Sequence, residues 1–79
     1  MTQNDWISEL RNLSELGMDI VQIAEYMREN HGEFQERSLA ILNEYRIAFN
    51  LSIRQMQDIG GWYEGGISSD ILRREVQLG

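Results

Sequence analysis

Apolar residues in this chain recur every three or four positions, and nowhere do they alternate with polar ones long enough to make a strand. That period confines the chain to helices. In NDWISELRNLSELG, Trp6, Ile7, Leu10 and Leu13 share one helical side and Gly17 supplies a stop. The Asn4-Asp5 pair stands where a cap belongs, so the first helix is expected to begin there. A second helix is read over DIVQIAEYMRENHG, capped by Asp19, with Ile20, Ile23, Ala24 and Met27 on its apolar face and His31-Gly32 at its end. The third, EFQERSLAILNEYRIAFN, reads as the longest. Phe34, Ile41, Leu42, Tyr45, Ala48 and Phe49 make a wide stripe, with Leu39 and Ile47 to either side, a pattern suited to the centre of a bundle.

The last third is punctuated differently. Ser52 and Gln55 have the spacing of a capping box, and Leu51 could pack on Met56 as a staple. Ile53, Met56 and Ile59 form the apolar face, and Gly60-Gly61 is expected to end this helix. After GWYEGGI, the segment SSDILRREV predicts a fifth helix. Ser68 or Ser69 caps it, Asp70 lies in its first turn and Arg73 and Arg74 in its last, in agreement with the helix dipole. Ile71, Leu72 and Val76 are its docking residues. The expected fold is all-α: a compact bundle of four or five short helices in one domain, residues 1–79, whose last two helices form a helix-turn-helix-like pair.

The chain has no proline and no cysteine, so neither disulfides nor thiolate chemistry contribute. Its core must supply nearly all the stability. A catalytic reading needs a nucleophile, a base and a group to hold charge. The single histidine, His31, falls at a predicted helix end, where it suits capping better than proton transfer. One histidine without cysteine excludes the usual zinc sets, and the Glu-x-x-His motif of a di-metal bundle is absent. No lysine follows the paired glycines, and a helix rather than a strand precedes them, so neither a Walker loop nor a dinucleotide fingerprint applies. No enzyme, metal or cofactor is expected.

Charge narrows the rest. Thirteen acids against seven bases, all arginine, leave a net charge of −6. Residues 1–51 carry nine acids and four arginines, residues 52–79 four and three, so the excess lies in the first part. An acidic body repels nucleic acid and attracts basic partners. No apolar run approaches the ~20 residues that span a membrane. The opening MTQNDWISEL lacks the basic and apolar regions of a secretory signal, which makes the cytoplasm the expected compartment. Glu25, Glu29, Glu33 and Glu36 follow at helical spacing and form a candidate steering face, with Tyr26 as the aromatic beside it. In DIGGWYEGGISSD, Trp62, Tyr63 and Glu64 sit between two glycine pairs. They are either a lid on the bundle or an exposed anchor, since Trp, Tyr and Arg dominate such anchors.

Two local resemblances extend this reading. LSIRQMQDIGGWYEGGISSDILRREV resembles a helix-turn-helix, with Met56 and Gly60 at the small-apolar and turn positions and Arg73 and Arg74 on the second helix; the resemblance implies DNA binding. It departs from the motif in the roughly seven residues, Gly60 to Gly66, expected between the helices. FNLSIRQMQD is similar to a helix start in the C-terminal domain of the ribosomal stalk protein, which implies a protein-contact surface. In type, a small acidic chain without a catalytic set resembles bacterial immunity proteins and phage-encoded inhibitors. These block a basic partner, often a nuclease, and the expected function is of this protein-binding kind. A DNA-binding regulator and a homodimer that hides the surplus apolar surface of the third helix are the alternatives.

Overall fold

The computed structural model describes residues 2–31 and 38–78. Among the described residues five helices follow one another: α1 (Gln3–Glu15), α2 (Ile20–Asn30), α3 (Ser38–Phe49), α4 (Ile53–Tyr63) and α5 (Ser69–Glu75). No strand occurs among the described residues. The all-α bundle expected from the periodicity is the fold observed.

Helices α1, α2, α4 and α5 each begin where a side chain can satisfy orphan amides. Thr2 caps α1, not Asn4 or Asp5: the Asp5 N–H donates to Thr2 Oγ1 at 3.3 Å, and Asp5 Oδ2 accepts from the Thr2 N–H at 2.9 Å. Asp5 therefore serves as the reciprocal partner three residues on. Asp19 with Gln22, and Ser52 with Gln55, build the same box for α2 and α4. Ser68 caps α5.

Helix ends follow the same accounting. Gly17 takes a φ of +92° and donates to the Ser14 carbonyl, while the Met18 N–H donates to that of Leu13, a Schellman closure. Asn50, at φ +53°, turns the chain after α3; asparagine tolerates this left-handed region better than most residues. Helix α2 ends at His31, whose N–H donates to the Met27 carbonyl. Gly32, Glu33, Phe34 and Glu36 lie outside the described residues, as does the expected start of the third helix.

The clearest departure concerns α4. It does not fail at Gly60-Gly61 but continues to Tyr63. A Cβ on Gly60 would stand 3.0 Å from Leu42 Cδ1, and one on Gly61 would stand 2.9 Å from Ile67 Cδ1. The missing side chains let α3 and the following turn close on the helix, and that packing offsets the ~1 kcal/mol that each glycine costs a helix. The second pair provides the stop: Gly65 at φ +83° donates to the Trp62 carbonyl, and Gly66 donates to that of Gly61. The α4–α5 connection is thus residues 64–68, shorter than the expected seven-residue separation.

Helix α3 packs against α1 and α4, and α5 closes the bundle against α4 and α2. The radius of gyration is 11.1 Å, close to the ~11.6 Å of a compact chain of this length. Trp6, Leu10, Ile23, Met27, Tyr45 and Leu72 form the centre of the core, and burial of such side chains stabilises by ~1.5–3 kcal/mol each. Glu44 is also fully buried, which its place in the sequence does not announce. Conversely Ile53 and Ile71, expected to dock, are 58% and 42% exposed. Each sits in the first turn of its helix, rotated away from the buried stripe set by Ile59 or Leu72.

Candidate functional site

The residues between the glycine pairs are held by the bundle. Trp62 is buried, and its indole N–H donates to Ser69 Oγ at 3.0 Å. The Arg28 guanidinium lies over its ring, 4.6 Å from the centroid, and ties α2 to α4 by a cation–π contact. Tyr63, half-buried, packs edge-on against Trp62 at 5.1 Å. Its hydroxyl donates to the Ala24 carbonyl at 3.3 Å and stands 2.9 Å from the hydroxyl of Tyr45. With Tyr63 donating to Ala24, Tyr45 donates to Tyr63. This short relay joins α2, α3 and α4. Burial pushes the Tyr63 phenol up to about 12. Tyr45 is raised well above the usual tyrosine value, first by burial and then by its Tyr63 neighbour. Of the tripeptide, only Glu64 is exposed.

The outer side of α2 is different. Glu25 and Glu29 are exposed one turn apart, with exposed Gln22 a turn earlier on the same stripe. Tyr26 flanks them half-buried, packed towards His31 at 6.1 Å between ring centroids. His31 in turn meets the Trp6 ring edge-on at 4.9 Å, so the imidazole closes the end of α2 over the core. Glu33 and Glu36, the remainder of the candidate acidic run, fall outside the described residues.

The arginines of the DNA-binding alternative divide. Arg73 Nε donates to Asp19 Oδ2 at 2.9 Å, and its Nη1 reaches Asp70 Oδ1 at 3.5 Å. It therefore serves the α2–α5 seam. Arg74 is exposed.

The chain matches no family model, no curated protein and no solved structure. The reading of its site therefore rests on geometry. Among the described residues no group of three or more His, Cys, Asp or Glu side chains is placed to hold a metal ion, and no helix is long and apolar enough to cross a membrane. The sequence reading anticipated surplus apolar surface on the third helix, where Leu39 and Ile47 are exposed, but it missed the tyrosine relay. The relay joins residues 18 and 39 positions apart, and no local pattern encodes such a pairing.

Proposed function

We propose that this chain is a non-enzymatic binding domain that engages a basic protein through the outer face of α2. The supporting observation is the stripe of Glu25 and Glu29, exposed beside half-exposed Tyr26, on a chain of net charge −6. Carboxylates held on a rigid helix steer a cationic partner and raise its association rate by ~10–10³-fold, while an adjacent aromatic supplies contact area at low entropic cost. Tyr26 is the better anchor than Trp62 or Tyr63, because both of those rings are committed to the bundle. Glu64 is an exposed charge at the far end of α4.

The experiment is affinity capture from a nuclease-treated lysate with three chains: the unaltered one, Glu25→Gln/Glu29→Gln, and Tyr26→Ala. The proposal expects one basic protein held stoichiometrically by the first and lost or weakened with the other two, all three being equally helical. Capture that ignores both substitutions contradicts it.

The helix-turn-helix reading has one observation in its favour, the shortened connection at residues 64–68. Against it, Arg73 is already engaged by Asp19, and a recognition helix belongs in a basic field. A salt-dependent gel shift that is abolished by Arg74→Ala would favour this second reading.

A further inference from the structure

Among the described helices α3 alone exposes two large apolar side chains. Its exposed residues are Leu39, Ala40, Asn43, Arg46 and Ile47. Leu39 is 79% and Ile47 43% exposed, and no exposed carboxylate stands on the helix, although the chain as a whole is strongly acidic. Leu39, Asn43 and Ile47 are spaced four residues apart, so they form one stripe about 12 Å long.

The stripe is symmetric about Asn43. In an antiparallel pairing of α3 with a second α3 across a two-fold axis, Leu39 meets Ile47 of the other copy, Ile47 meets its Leu39, and the two Asn43 amides face each other. An amide carries both donor and acceptor, so this central pair satisfies itself. Arg46 then lies opposite Ala40 of the other copy and not opposite a second arginine. A surface that complements itself under a two-fold rotation is what an isologous dimer requires.

We propose that this chain self-associates through α3 as an antiparallel two-fold dimer centred on Asn43. Two large apolar side chains per copy make a small interface, below the ~1,200 Å² of stable complexes, so the dimer is weak and concentration-dependent. Both copies carry −6, and their long-range repulsion is screened by salt. Added salt therefore strengthens this association, the opposite of the response expected of the α2 face.

Site-directed cross-linking tests the register without background, because the chain has no cysteine. Asn43→Cys, Leu39→Cys and Gln57→Cys, all at exposed positions, are compared under mild oxidation after circular dichroism confirms helicity. In the proposed dimer the two residues at position 43 face each other within disulfide reach. Those at position 39 lie about eight residues, or ~12 Å, apart along the axis, beyond the ~7 Å limit between Cα atoms. The expected result is fastest covalent dimer formation by Asn43→Cys, slowed to the Gln57→Cys rate when Ile47→Glu is added. Sedimentation of the unaltered chain should show mass rising with concentration and with salt, and Leu39→Glu should remain monomeric. Asn43→Cys cross-linking no faster than Gln57→Cys, Leu39→Cys cross-linking fastest, or a mass independent of concentration overturns the proposal.

Discussion

Alanine at position 61 separates two opposing effects within one methyl group. Gly61 lies in α4 with ordinary helical backbone, since among the described glycines only Gly17 and Gly65 have positive φ. Its replacement by alanine thus gains the full propensity difference of about 1 kcal/mol. The new Cβ would stand 2.9 Å from Ile67 Cδ1 and 3.1 Å from Ile67 Cγ1. Both distances are well inside van der Waals contact, and overpacking of this kind costs about 1–3 kcal/mol. The net expectation for Gly61→Ala runs from near zero to a loss of about 2 kcal/mol. At this chain length each 1 kcal/mol shifts Tm by roughly 4–8 °C. In an Ile67→Ala background the nearest remaining atom is Ile67 Cβ at 3.9 Å, an ordinary contact, so the same substitution should there stabilise by about 1 kcal/mol. Urea titrations of the four chains, followed by helicity with a constant m-value, give the coupling energy directly. A coupling of about 1–3 kcal/mol with this change towards stabilisation is predicted. Gly61→Ala destabilising equally in both backgrounds would refute the argument that close packing keeps glycine in this helix.

Asp19→Ala removes both the α2 cap and the partner of Arg73. It should cost about 1–2 kcal/mol in urea denaturation, most of it from the cap, since an exposed ion pair contributes little. Asp5 is held below the ordinary carboxylate value of 3.8 by hydrogen bonds from the Thr2 backbone and side chain. Its contribution is therefore present above that value and lost as pH falls through the lowered one; Asp5→Asn should flatten that part of the acid titration of stability. The buried tyrosine pair acts at the other end of the scale. Phenols that ionise near 10 when unfolded and, for Tyr63, at about 12 when folded make stability fall as pH rises across that interval. In a Tyr26→Phe chain, which keeps only the tyrosines of the relay, absorbance of ionised tyrosine should appear together with loss of helicity, and Tyr63→Phe should reduce the slope. Tyrosine ionisation near 10 in a Tyr26→Phe chain that stays fully helical would contradict the relay. At neutral pH, Tyr63→Phe should cost about 1–2 kcal/mol through the lost bonds to Ala24 and Tyr45.

What could be read in the sequence was what is local. Asp19, Ser52 and Ser68 were legible as caps because an oxygen-bearing side chain three residues before its target amide acts within one turn. The Thr2 cap was hidden by Asn4 and Asp5, each a good cap by type. Only the reciprocal bonds of the box show that Asp5 is the partner and Thr2 the cap. Gly60-Gly61 misled for a tertiary reason: intrinsic propensity argues for a break, and contacts with Leu42 and Ile67 override it. Helical period located the apolar residues but not the side that would be covered. Met27 and Ile59 are buried while Leu39 and Ile53 face outward, because neighbouring helices decide which side is covered. In the candidate site, the exposure of Glu25 and Glu29 followed from the period of α2, whereas the commitment of Trp62 and Tyr63 to Ser69, Ala24 and Tyr45 depended on contacts between helices.

If the α2 face recruits a cationic protein by its field, as proposed, the field must act on the rate of encounter. The most direct test is the association rate between the chain and its captured partner, measured across ionic strength from ~20 to ~500 mM, a range that shortens the screening length from over 20 Å to below 5 Å. The expected rate falls steeply with salt, and that of a Glu25→Gln/Glu29→Gln chain starts lower and varies less. A rate indifferent to salt, or equal for the two chains at every ionic strength, would contradict it.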